Sequence, residues 1–195
     1  MTVKQIKLHF QKADPLLYKV KKKTDFKDWL NPSKTPNQFF LRLVRAIIGQ
    51  QLSVKAAKTI NLRFEKLFTG SITPQKVLKT PDQKLRDVGM SWSKVSFVKD
   101  LAQKSLDKKI NYSRFPKMSS GDIADELIKV KGIGEWTIDM FLMFALARPD
   151  IFSKADAGLK RAIKNIYHGK KPPIAKWRPY RSYACFALWE SLDNE

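Results

Sequence analysis

The sequence has 195 residues, 43% of them hydrophobic, and 38 Lys and Arg against 18 Asp and Glu give it a formal net charge of +20. That is enough apolar material for one core or two closely packed lobes, and a surplus of this size suits a polyanionic partner, although a solvated basic surface reads the same way. A single cysteine, Cys185, excludes an intrachain disulfide framework and a four-cysteine iron–sulfur cluster, and with the two histidines, His9 and His168, it makes no ordinary zinc set.

In chain order, Met1 to Lys12 holds no long apolar stretch, so no secretory leader is expected. The first thirty residues are rich in lysine and include Lys21-Lys22-Lys23; residues 31 to 37, with Pro32 and Pro36, read as a connector. Phe39, Phe40, Leu43, Val44, Ile47 and Ile48 recur at three- and four-residue spacing and make one apolar helix face. Ser53 is placed to cap a second helix that would turn Ala56, Ala57, Ile60, Phe64 and Leu67 inward. Pro74 and Pro81 punctuate short helices, and Val95, Val98, Leu101, Ala102 and Leu106 mark a further amphipathic one. No sustained two-residue alternation bounded by hairpin turns is found. The most apolar run, Met140 to Ala147, is too short to span a bilayer. The expectation is an all-α, soluble, intracellular chain of two helical lobes with a cleft between them. One lobe spans about 37–115; the other joins 1–36 to 116–195.

The segment from Leu127 to Thr137 carries Gly132-Ile133-Gly134 between an amphipathic helix and a very apolar one. Glycines there allow backbone angles other residues resist, and N–H groups at a helix start can bind a phosphate, with Lys129 and Lys131 beside them. An ordinary helix–helix turn fits the same residues. A dinucleotide loop does not, because no strand precedes it and the third glycine is missing. Asp156 lies 22 residues after Gly134, at the expected start of another helix. Its plain role is an N-cap; a charged carboxylate there would also stabilise a cationic sugar or orient an attacking water. Residues 160 to 181 hold eight Lys and Arg and no Asp or Glu, with Tyr167, Trp177 and Tyr180 interleaved. That stretch suits phosphate contacts, or a solvated loop.

Hairpin and aspartate at this spacing resemble the helix-hairpin-helix (HhH-GPD) superfamily of DNA glycosylases. Three further stretches carry the resemblance: Val44 to Ser53, Val88-Gly89-Met90 with Lys94, and Trp177 to Ala184, the last resembling the C-terminal helix of the 3-methyladenine DNA glycosylase II type. The similarity covers roughly residues 37 to 192. It implies an all-α, two-lobed fold and a base flipped out of duplex DNA into a pocket. It implies Asp156 as the catalytic carboxylate and Trp136, Trp189 and Met140 as the base pocket, Met140 standing where an aromatic residue is expected. DNA contacts are implied at Gln51, Ser53, Lys131, Gly132, Ile133, Gly134, Arg161 and Arg181, with Gln51 in the place of the wedge that fills the gap. Trp136 stands where strand-cutting relatives carry a lysine nucleophile, so hydrolysis without strand cleavage is expected. The proline of the family signature is replaced by Lys154-Ala155. No cofactor and no metal are required for the chemistry, although a monovalent cation on the hairpin backbone near Gly132 and Gly134 fits the family. The separate N-terminal β-containing domain of some relatives is expected to be absent. The expected partner is double-stranded DNA with a damaged base, bound by a monomer with no membrane association, in the cytoplasm and nucleoid or a nucleus. The substrate expected first is an alkylated purine; another lesion (uracil, a mismatch or an oxidised purine) and a non-catalytic binder of DNA structure are the alternatives.

Overall fold

The computed structural model describes residues 2–21 and 32–192. Lys22 and Lys23, and the first residue of the expected connector, lie outside the described residues. Among the described residues eleven α-helices run in order: α1 (Val3–Ala13), α2 (Pro15–Lys21), α3 (Pro36–Gly49), α4 (Val54–Lys66), α5 (Pro74–Lys79), α6 (Asp82–Asp87), α7 (Trp92–Leu106), α8 (Ser120–Leu127), α9 (Glu135–Phe144), α10 (Ala157–Tyr167) and α11 (Arg181–Leu192). Short 3-10 turns at Phe115–Lys117 and Ile174–Trp177 complete the order, and no β-strand occurs among the described residues. None of these helices is long and apolar enough to cross a membrane.

Polar caps set most helix starts. Thr35 accepts a bond from the Gln38 N–H while the Gln38 side chain accepts from the Thr35 N–H, a reciprocal box that satisfies two orphan donors of α3. Ser53, Thr73, Ser91 and Ser119 each accept one N–H at the heads of α4, α5, α7 and α8. The six apolar residues expected to line α3 are all buried. In α4 the expected stripe is shorter. Phe64 is fully buried, but Ala56, Ala57 and Ile60 are half-buried and Leu67 is 39% exposed. The helix stops at Lys66, so Leu67, its C-cap, leaves the inward face.

The chain divides into two compact units, residues 33–141 and residues 1–32 with 142–195. This boundary differs from the one read in the sequence: 116–141, with the hairpin, fall in the middle unit. The reason is aromatic packing. Phe39, Phe115 and Phe141 form a triangle of rings 5.8 to 6.1 Å apart, so the residues after 115 share the core of α3. In the same unit Lys99 donates to the carbonyls of Leu78 and Thr80, capping the end of α5 from α7.

The other unit is built around a buried carboxylate. Asp14, 3% exposed, accepts bonds from the Leu17 N–H, the Tyr167 hydroxyl and the Trp177 indole N–H. Tyr167 and Trp177, which the sequence interleaves with basic residues, are therefore core residues and offer no face to a phosphate. They satisfy Asp14, whose burial would be unfavourable without them. Burial first, and then the Asp14 carboxylate, push the Tyr167 hydroxyl well above the usual phenol range.

Candidate active site

Within the middle unit the hairpin follows α8. The Val130 N–H donates to Leu127 O at 3.0 Å and the Ile133 N–H to Val130 O at 3.1 Å. Gly132 has φ +76, and a Cβ on it would lie 2.1 Å from the Phe97 ring of α7. Conformation and space both demand glycine. Gly132→Ala is expected to destabilise the protein by about 2–4 kcal/mol in urea unfolding, through left-handed strain plus overpacking. Gly134 has no such constraint, since nothing lies within 4 Å of its would-be Cβ. Ile133 is 4% exposed and anchors the turn; Lys131 is exposed. The Lys131 N–H donates to Asp100 at 2.9 Å. Burial pushes the Asp100 carboxyl up, but bonds from Lys104 and the Lys131 N–H, and the two lysine charges, outweigh it and hold the group below its usual value.

The α3–α4 loop meets this hairpin. Gln51 is exposed at φ +57, a strained angle for a residue with a side chain. The Ser53 hydroxyl is used as the α4 cap. Lys94 donates to Ile48 O and Gln50 O, each at 2.8 Å, and its partial burial lowers its pKa. Gln50 Nε2 donates to Gly132 O at 2.7 Å and to Thr137 Oγ1 at 3.2 Å. Gly134 O accepts the Ile138 N–H of α9. The Gly132 and Gly134 carbonyls each accept a protein donor. Trp136 is 40% exposed and Met140 half-buried, one turn apart on α9. At the head of α7, Trp92 is 57% exposed under the Arg86 guanidinium, 5.1 Å from its ring centre.

In the other unit Asp156 caps α10. Its Oδ1 accepts the Leu159 N–H at 2.7 Å and the Trp189 indole N–H at 2.9 Å, and the residue is 9% exposed. Two sequence candidates, 33 residues apart, are thereby joined. Trp189 stacks on Phe144, rings 6.0 Å apart and 22° from parallel, and meets Phe186 edge-on. Phe144 is 41% exposed. A Cβ on Gly158 would sit 3.1 Å from Asp156 Oδ1 and 3.2 Å from the Trp189 ring, so the glycine keeps carboxylate and indole together. Arg161 is exposed on α10. Arg181 makes three bonds to Asp150 through Nε and Nη2, at 2.6, 2.8 and 3.1 Å. That fork ties the Arg181 side chain to the 148–151 loop.

Sequence reasoning missed Gln50, Phe97, Asp100, Phe144 and Trp92. Phe144 lies within the most apolar run, and Phe97 falls outside the apolar stripe of α7. Gln50 stands beside Gln51, and no local spacing points from it to Gly132, 82 residues on. Lone Trp92 between two serines was the most visible signal.

A family described as HhH-GPD superfamily base excision DNA repair protein matches residues 44–176. YfjP of Bacillus subtilis, whose name assigns it provisionally to the DNA-3-methyladenine glycosylases, is 33% identical over 166 residues, covering 77% of this chain and 58% of that protein. The DNA-3-methyladenine glycosylase of Saccharomyces cerevisiae is 30% identical over 180 residues, covering 86% of this chain and 60% of the yeast protein. The chain therefore spans about three fifths of the length of these two relatives. The 3-methyladenine DNA glycosylase Mag1 of Schizosaccharomyces pombe, solved with abasic DNA, superposes with a TM-score of 0.85 at 24% identity and 95% coverage of each chain, a likeness of fold.

Proposed function

The chain belongs to the HhH-GPD superfamily of base excision DNA repair proteins, and from that premise we propose that it is a monofunctional DNA glycosylase for alkylated purines of the 3-methyladenine and 7-methylguanine type. One observation carries the proposal: a nearly buried carboxylate, Asp156, held on one oxygen by a helix N-terminus and an indole, with aromatic rings beside it. The relatives named for 3-methyladenine point to the same substrate class.

In this reading a cationic alkylated base is flipped from the duplex. The bond between C1′ and the base nitrogen breaks, and its electron pair leaves with the base. The base departs neutral, so no acid has to protonate it. Asp156 stabilises the oxocarbenium-like sugar and orients the water that attacks C1′, taking its proton. The products are a free base and an abasic site in an uncut strand. The Trp189 ring offers an electron-rich face to a cation. Trp136 and Met140 as pocket residues, and Trp136 in place of a lysine nucleophile, rest on the sequence resemblance. Gln51, Lys131, Arg161 and the hairpin N–H groups are the proposed DNA contacts; damaged duplex DNA is the partner, bound by a monomer wherever the cell keeps its DNA.

A lesion panel tests this. Duplexes carrying 3-methyladenine, 7-methylguanine, uracil or 8-oxoguanine are expected to lose the two alkylated bases at least about tenfold faster, with strand breaks only after alkali. Release confined to another lesion would reassign the substrate. Tight, salt-sensitive binding with no release from any duplex would replace the enzyme with a DNA-structure binder. A borohydride-trapped adduct on abasic DNA would overturn the reading of Trp136.

A further inference from the structure

We propose that Gln50 is a positioning residue, a brace that fixes the α3–α4 loop to the hairpin so that the two elements meet DNA as one body. The proposal rests on the DNA-binding reading above and adds to it a residue and its mode of action.

One face of α7 serves both elements. Lys94, at its start, holds the loop through Ile48 O and Gln50 O. Phe97, three residues on, fills the space that keeps Gly132 a glycine. Asp100, three further, accepts the Lys131 N–H. Residues at this spacing lie along one side of a helix, so α7 supports loop and hairpin at separate points without joining them directly. The Gln50 amide makes that joint. It reaches across 82 residues of sequence to Gly132 O at 2.7 Å, with the hydroxyl of Thr137, 2% exposed, as second partner. Its own backbone carbonyl is held by Lys94, so the side chain starts from a fixed point. The next residue is Gln51 at φ +57. A strained conformation persists only where its surroundings over-determine it, and the clamp on both sides of Gln50 is that surrounding. Intact duplex needs chiefly backbone contacts at the hairpin. A duplex with a vacated base position needs the hairpin and the loop at a set spacing.

Gln50→Met keeps the length and volume and removes the donor; Gln50→Leu also shortens the reach. With an unchanged melting temperature, Gln50→Met is expected to weaken binding to an abasic-site duplex about tenfold while changing affinity for the intact duplex less than about threefold. Thr137→Val, which removes only the longer contact, stays within about twofold on both. Equal weakening on both duplexes, or none on either, would overturn the brace. Hydrogen exchange tests it without DNA: Val130 and Ile133 amides are expected to exchange about tenfold faster in Gln50→Met, and unchanged exchange sinks the proposal whatever the DNA results. Base release by the wild type, measured separately, decides the glycosylase reading, so the two can fail independently.

Discussion

Asp156→Asn is expected to release 3-methyladenine from duplex DNA at least about a hundredfold more slowly than the wild type in single-turnover assays, with an unchanged melting temperature. The substitution is selective because of what Oδ1 does. It accepts two hydrogen bonds, from Leu159 N–H and Trp189 Nε1–H. An asparagine carbonyl accepts both, and asparagine caps a helix about as well as aspartate. The charge and the proton acceptor are lost while these two bonds are kept. Asp156→Ala removes those and the cap together, adding about 1 kcal/mol of destabilisation, and so is the poorer test. Equal release by wild type and Asp156→Asn would take Asp156 out of the chemistry and leave it a cap.

Asp14→Ala is expected to give the largest loss of stability, about 3–5 kcal/mol in urea or thermal unfolding. Three donors converge on this carboxylate: the Leu17 N–H, the Tyr167 hydroxyl and the Trp177 indole. Trp177 is fully buried and Tyr167 is 4% exposed, so water cannot replace the lost acceptor. Removing one partner leaves the others desolvated and unsatisfied. Asp14→Asn keeps one acceptor oxygen and is expected to lose less. A change below about 1 kcal/mol for Asp14→Ala would mean the site relaxes enough to admit water.

The parts of the fold that follow from local periodicity were legible in the sequence. The α3 stripe, the caps at Thr35-type positions such as Ser53, and Asp156 at the head of α10 each depend on residues within a turn or two of one another. The parts that were illegible depend on partners far away in the chain. Asp14 meets Tyr167 across 153 residues, and Gln50 meets Gly132 across 82. No spacing rule points from one to the other. The stretch from 160 to 181 shows the same limit from another side. Its composition suggested an open basic face, yet Tyr167 and Trp177 turn inward to Asp14 and Arg181 to Asp150. Composition counts charges without recording which already have an internal partner. At the candidate site, Asp156 and Trp189 were both legible as candidates, whereas Phe144 was hidden by its apolar neighbours, since an aromatic residue at a helix end looks the same whether it is core or partly exposed.

One unit is continuous in sequence, residues 33–141, and the other is assembled from residues on either side of it. That arrangement sets an order of events during synthesis. Helices α1 and α2 leave the ribosome before the middle unit, with Ile6, Phe10 and Leu17 still lacking the helices that bury them. At ordinary elongation rates they wait on the order of ten seconds before residue 142 is made. The middle unit can close during that interval. The acceptor at Asp14 receives its tyrosine and tryptophan only after the middle unit has been made, so of the two units the one holding Asp14 closes second.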